Sequence, residues 1–199
     1  MLVAMLSGLG ASKLVSRWIA ATLAASIVAA VDGGWLASWA AFAPSRIWRG
    51  ELWRLVTWIV LEPGPIGLAI TCLCIYKFGG DLAVRWGERR LRRFMIEVLG
   101  GSAIAAALIA LVSRDAWSVY AGGGWAVRDA LVIAWARQFP NSPLSLYGIV
   151  TLNGRNLIRV TVAITVLVAI YAGPLRMPLE LLVCAAVVWY PAAWLTRRA

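Results

Sequence analysis

Residues 122–136 read Gly-Gly-Gly-Trp-Ala-Val-Arg-Asp-Ala-Leu-Val-Ile-Ala-Trp-Ala, an apolar run with an arginine and an aspartate near its middle. As a helix this run reaches about 22 Å, short of a hydrocarbon core of roughly 30 Å. So short a helix is poorly placed against lipid and better placed inside a bundle. Its small residues agree: Gly122, Ala126, Ala130 and Ala134 recur every fourth position and let a neighbouring backbone approach closely. Trp125, Arg128, Asp129, Val132 and Trp135 lie on the other side. Arg128 and Asp129 are sequence neighbours that point about 100° apart, so each needs its own partner. Lys77, Asp81 and Glu97 are the candidates. Charges inside a span are costly unless paired or hydrated. They make either a polar cavity that receives part of a client or a charge network that sets helix register.

The surrounding chain supports a membrane setting. Of 199 residues, 62% are hydrophobic, against about 45–50% in soluble domains. This length leaves room for about five to seven spans and for no soluble catalytic domain. Six apolar segments are expected, at about 14–31, 66–84, 94–112, 122–136, 157–172 and 179–195, within one membrane domain over 1–199. The connection 35–62, rich in Trp and Arg and bounded by Pro44 and Pro63, reads as an interfacial first loop with short amphipathic helices. The first basic residue, Lys13, follows an apolar stretch, which argues against a cleaved signal peptide.

Charge orients the chain. With both termini cytoplasmic, the inner ends hold Lys13, Arg17, Lys77, Arg85, Arg89, Arg90, Arg92, Arg93, Arg137, Arg155, Arg159, Arg197 and Arg198. The outer side holds only Arg46, Arg49, Arg54, Arg114 and Arg176. That is a clear positive-inside bias. The net charge of +10 therefore reports topology and not a nucleic-acid partner.

Catalytic chemistry finds little support. There is no histidine, which removes the commonest general base and metal ligand. Cys72, Cys74 and Cys184 all lie in apolar runs and read as core packing, so neither a metal nor another cofactor is expected. A Ser-Lys dyad would need Lys13 or Lys77, and Lys77 lies toward the cytoplasmic end of its span. Asp81, Glu97 and Asp129 could form a two-carboxylate site, but ion pairing is their simpler role.

Several motifs then carry a resemblance. Gly50-Glu51-Leu52-Trp53-Arg54, after the first span, is similar to the Trp-Arg motif in the first loop of the rhomboid superfamily. Gly79-Gly80 before the basic loop, and a short fourth span opening at a glycine cluster, match as well. Ala134-Trp135-Ala136-Arg137-Gln138-Phe139-Pro140 with Leu146-Tyr147-Gly148, and Glu62-Pro63-Gly64-Pro65-Ile66-Gly67, resemble the derlins. These are rhomboid pseudoproteases associated with removing misfolded membrane proteins.

The resemblance implies an all-α, six-transmembrane-helix rhomboid-like bundle with cytoplasmic N- and C-termini. It sets Gly124 where an active rhomboid has its serine, and the missing histidine near Val188. No catalytic residue is expected. The resemblance assigns Gly122, Gly123, Gly124, Trp125, Arg128 and Asp129 to a client cavity, and Gly50, Glu51, Trp53 and Arg54 to a brace for the first loop. The implied partners are the lipid bilayer, membrane-protein clients, and an ATPase or protease. A structural subunit of a larger complex and a small transporter or channel are the alternatives. The Ala, Arg and Trp richness inclines the location to a bacterial inner membrane, with the endoplasmic reticulum as alternative.

Overall fold

The first helix begins where a serine can cap it. In the computed structural model, which describes residues 12–146, 150–172 and 178–191, Ser12 precedes helix α1 (Lys13–Val31) and its Oγ accepts from the Val15 amide at 3.4 Å. The buried positions of α1 are Val15, Ile19, Thr22 and Ser26, a stripe at spacings of three and four. Asp32 ends the helix and accepts from the amides of Gly34 and Leu36, which turns the chain into α2 (Trp35–Ala40). Two further short helices follow, α3 (Pro44–Ile47) and α4 (Arg54–Thr57), the latter running into a 3₁₀ turn at Trp58–Val60. Trp35, Trp39, Trp48 and Trp53 are exposed along this stretch.

Helix α5 (Pro65–Trp86) starts with proline in its first turn, where no amide is needed. It contains a π turn at Ile75–Gly79 that runs into Gly80. After Gly87, whose φ of +83° suits only glycine, α6 repeats the design. It comprises Glu88–Met95, a π turn Ile96–Gly100 and Gly101–Ile109. Helix α7 (Arg114–Trp117) is capped by Ser113, and α8 covers Gly124–Gln138. An antiparallel hairpin follows, β1 (Pro143–Leu146) with β2 (Val150–Asn153), its ends paired at Pro143 and Asn153. Helices α9 (Gly154–Ala172) and α10 (Pro178–Trp189) complete the described chain.

Among the described residues, three helices are long and apolar enough to cross a membrane: Lys13–Val31, Pro65–Trp86 and Gly154–Tyr171. Leu179–Trp189 is a shorter apolar helix. Their outward faces are apolar too. Ile27, Val28 and Val31 on α1, and Leu167 and Ile170 on α9, are exposed. Such patches would be unfavourable in water and are what a lipid-facing surface requires. Helix α8 differs: Ala126, Val127, Ala130, Leu131, Ile133, Ala134 and Ala136 are all fully buried. It packs against α5, α9 and α10, the central position its length predicts.

Two expectations shift. The fourth helix starts at Gly124 and runs to Gln138, so Gly122 precedes it and is not part of a helical packing stripe. The connection after it holds a hairpin whose short strands carry no helical signal. Tyr147-Gly148, Arg176, residues 192–195 of the sixth segment and Arg197-Arg198 lie outside the described residues.

Candidate functional site

The first loop is held against the bundle by a buried arginine. Arg54 has no exposed surface. Its Nε donates to Glu51 Oε2 at 2.6 Å, Nη1 to the Ala41 carbonyl at 2.8 Å and Nη2 to the Ser38 carbonyl at 2.7 Å. A rigid guanidinium fork can satisfy three acceptors at once. Trp53 points outward, stacked on Trp39 at 5.5 Å with its Nε1 donating to the Trp39 carbonyl. Gly50 has φ +100° and lets the chain turn back. Phe42 and Ala121 exchange two backbone hydrogen bonds, joining the loop to the approach of α8.

This bracing lays Leu61-Glu62 across the N-terminus of α8. Ser26 Oγ accepts from the Glu62 amide at 3.1 Å. The amides of Gly123 and Gly124 both donate to the Leu61 carbonyl, at 2.9 and 3.3 Å, so the exposed start of a helix is met by backbone. The glycines make the approach possible. A Cβ on Gly122 would lie 2.8 Å from the Leu61 oxygen, and one on Gly123 2.6 Å from the Trp58 oxygen. On Gly124 it would overlap the Glu62 carboxylate.

Glu62 joins a polar cluster at this end of the bundle. Thr71 Oγ1 donates to its Oε2 at 2.9 Å, and Arg128 Nη2 lies 3.8 Å from the same oxygen. The Arg128 guanidinium also sits 4.6 Å from the centre of the Trp125 ring. Asp129 turns the other way: Thr165 Oγ1 donates to its Oδ2 at 2.8 Å, and the Cys184 thiol approaches at 3.4 Å. Two cavities border Arg128 among the described residues. One, of about 320 Å³, is bordered by Cys74, Trp125, Arg128, Asp129 and Thr165. The other, of about 310 Å³, is bordered by Glu62, Gly122, Gly124, Trp125, Arg128 and Glu180. Arg128 borders both. At the rim, burial pushes the Tyr120 phenol up, against the opposing pull of Arg54 and Arg46.

The structure therefore brings Gly122, Gly123, Gly124, Trp125, Arg128 and Asp129 to one region, and places Gly50, Glu51, Trp53 and Arg54 in the loop above it. It does not supply the expected partners. Lys77 pairs with Asp81 at 3.1 Å, and Glu97 with Arg93 at 2.6 Å and with the Tyr190 hydroxyl. Val188 is partly exposed, whereas Glu180, two turns earlier on α10, is buried beside the cavity next to Gly124. Glu62, Thr71, Thr165 and Glu180 are the residues that pattern reading missed. Only Glu62 had a signal, its place before Pro63-Gly64-Pro65. Among the described residues no group of three His, Cys, Asp or Glu side chains is arranged to hold a metal ion.

At the far end of α8, the Trp135-to-Pro140 stretch forms a clasp. Trp135 Nε1 donates to Asp81 at 2.8 Å, Gln138 accepts from Trp86 Nε1 at 3.1 Å, and Arg137 donates to the Val187 carbonyl. One short segment thus ties α8 to both α5 and α10. Residues 7–194 match the family described as eukaryotic integral membrane protein (DUF1751). The chain belongs to that family.

This family member is similar to Derlin-1 of Arabidopsis thaliana, with 33% identity over 103 residues, 51% of this chain and 37% of the relative. It is similar to Derlin-1 of Oryza sativa subsp. japonica, with 29% identity over 114 residues, 57% of this chain and 46% of the relative. The matched part thus spans less than half the length of either relative. The derlin-like, rhomboid-superfamily character carried by the Trp-Arg, Gly-Pro and Trp-to-Pro motifs agrees with these matches. The expected bacterial inner membrane does not: the family is described as eukaryotic and both relatives are plant proteins.

Proposed function

We propose that this chain is a catalytically inactive, derlin-like membrane protein that binds segments of other membrane proteins for quality control or dislocation, in the endoplasmic reticulum membrane. The observation that carries this reading is the position of Arg128, between two cavities and beside helices whose outer faces suit lipid. A charged, partly enclosed space within a bundle lowers the cost of admitting a polar portion of a client. In this reading α1, α5, α6, α8, α9 and α10 are six spans of one domain with both termini cytoplasmic. Helix α8, 15 residues long, reaches about 22 Å and favours local thinning of a bilayer roughly 30 Å thick. The Trp53-Arg54 loop braces the outer surface, and an ATPase or protease partner receives released clients. Gly124 in the serine position, in a chain without histidine, leaves no Ser-His dyad to assemble.

In-membrane photo-cross-linking tests the reading. A probe on Gly124 would collide with Glu62, so it belongs at Ile164, which is exposed and borders the larger cavity. Recovery of varied membrane proteins, lost in Arg128→Leu, is expected. One fixed partner in constant ratio would make the chain a structural subunit instead, and Arg128-dependent solute flux in liposomes would make it a transporter.

A further inference from the structure

The cavity beside Gly124 sets two carboxyl groups, Glu62 and Glu180, against one guanidinium. Among its described wall residues Arg128 is the one cation, and it is already shared between Glu62 and the Trp125 ring. Glu180, also on the wall, is only 6% exposed; its carboxyl accepts from its own amide and, among the described residues, has no ion pair or hydrogen bond with another side chain. A buried carboxylate without a counter-charge is costly, and a cation delivered from outside removes that cost.

Size narrows the occupant. At about 310 Å³, the space lies at the bottom of the range for small-molecule pockets, roughly 300–1,000 Å³. A helix about 10 Å across does not enter it, but one long side chain does. Lys and Arg carry their charge on flexible stems that reach away from their own helix. Inside a bilayer a lone Lys or Arg is costly, so it is normally paired within an assembled complex. An unpaired one marks a segment that lacks its proper neighbour.

We infer that the cavity bordered by Gly124, Glu62 and Glu180 takes the cationic head of a Lys or Arg side chain on a client transmembrane segment, with the two glutamates as counter-charges. This rests on the client-binding reading and adds the class of client. It makes the site selective for basic intramembrane residues and not only for polarity.

The test uses the full chain in liposomes with a photo-cross-linker at Val168, which borders this cavity. Single-span Leu/Ala peptides carry Lys, Leu or Glu at one position in the outer third of the span. The Lys peptide is expected to be captured about tenfold better than the Leu peptide, the value of one charge-assisted hydrogen bond. Glu180→Gln brings that ratio to about one, and Glu180→Asp keeps it well above one, which separates loss of charge from loss of fold. Equal capture of all peptides, or a Lys preference that survives Glu180→Gln, overturns this inference and leaves client binding standing. Capture of no peptide overturns both. If n-butylammonium shifts tryptophan fluorescence in a Glu180-dependent way and no peptide preference exists, the pocket belongs to a small solute and the assignment falls.

Discussion

The Glu62 carboxylate occupies the space that a side chain on Gly124 would fill, with Thr71 donating to it at 2.9 Å. The glycine thus has a packing role of its own. It is what allows a carboxylate from the first loop to lie over the start of α8. Gly124→Ser displaces Glu62, breaks its contacts with Thr71 and Arg128, and costs about 1–3 kcal/mol. Thermal unfolding in detergent checks this. The combination with Glu62→Ala is expected to recover part of the loss, and independent, additive effects would refute the coupling.

Arg54 and Trp53 are adjacent in one motif and differ in consequence. Arg54→Ala leaves the Glu51 carboxylate and the carbonyls of Ala41 and Ser38 without their donor, at about 3–5 kcal/mol. Arg54→Lys recovers only a fraction, because an ammonium cannot reproduce the fork. Trp53→Ala removes an exposed stack and costs about 0.5–1.5 kcal/mol. Limited proteolysis within residues 35–53 reads the difference: rapid cleavage in the Arg54 variant and near-native protection in the Trp53 variant.

Asp129 and Arg128 separate charge from hydrogen bonding. Asp129→Asn keeps an acceptor for Thr165 and is expected to lie within about 1 kcal/mol of wild type in stability. Asp129→Leu leaves the Thr165 hydroxyl unpaired and is worse by about 1–3 kcal/mol. Arg128→Leu reduces client cross-links from Ile164. Variants Arg128→Leu and Asp129→Leu that both retain native stability and full client capture would remove the cavity from the proposed mechanism.

Glu88 links pH to the start of α1. Its Oε1 accepts from Ser12 Oγ at 2.9 Å and from the Leu14 amide at 3.2 Å. These hydrogen bonds, the Leu14 amide first and then the Ser12 hydroxyl, hold its carboxyl below its ordinary value of 4.5. A depressed folded-state value means stabilisation that is fully present above the unfolded value and lost as pH falls through the folded one. Protection of the Leu14 and Val15 amides, taken relative to their intrinsic exchange rates at each pH, is therefore expected to fall on acidification below about pH 4.5. In Glu88→Gln that pH dependence disappears.

Much of the segmentation was legible in the residues. The apolar runs around α1, α5 and α9 are local signals, and each became a helix; the basic residues 85–93, expected as a loop, are instead helical on either side of Gly87, at the end of α5 and the start of α6. The shortness of α8 and its spaced alanines correctly placed it at the centre. The hairpin escaped notice because strands of four residues carry too little periodicity to register. The partners of Arg128 and Asp129 escaped for a different reason. Lys77, Asp81 and Glu97 were plausible by depth along their helices, but depth does not say which way a helix is turned about its axis.

That distinction separates what the chain alone determined from what packing decided. Hydropathy, charge bias and the absence of histidine are properties of each segment taken singly, and they were enough to assign a membrane bundle without a Ser-His dyad. Glu62 against Arg128, Thr165 against Asp129 and Glu180 beside Gly124 join residues far apart in sequence. Such contacts depend on helix rotation and on how closely backbones approach. Only the assembled fold, with glycines permitting the approach of Leu61-Glu62 to α8, sets them.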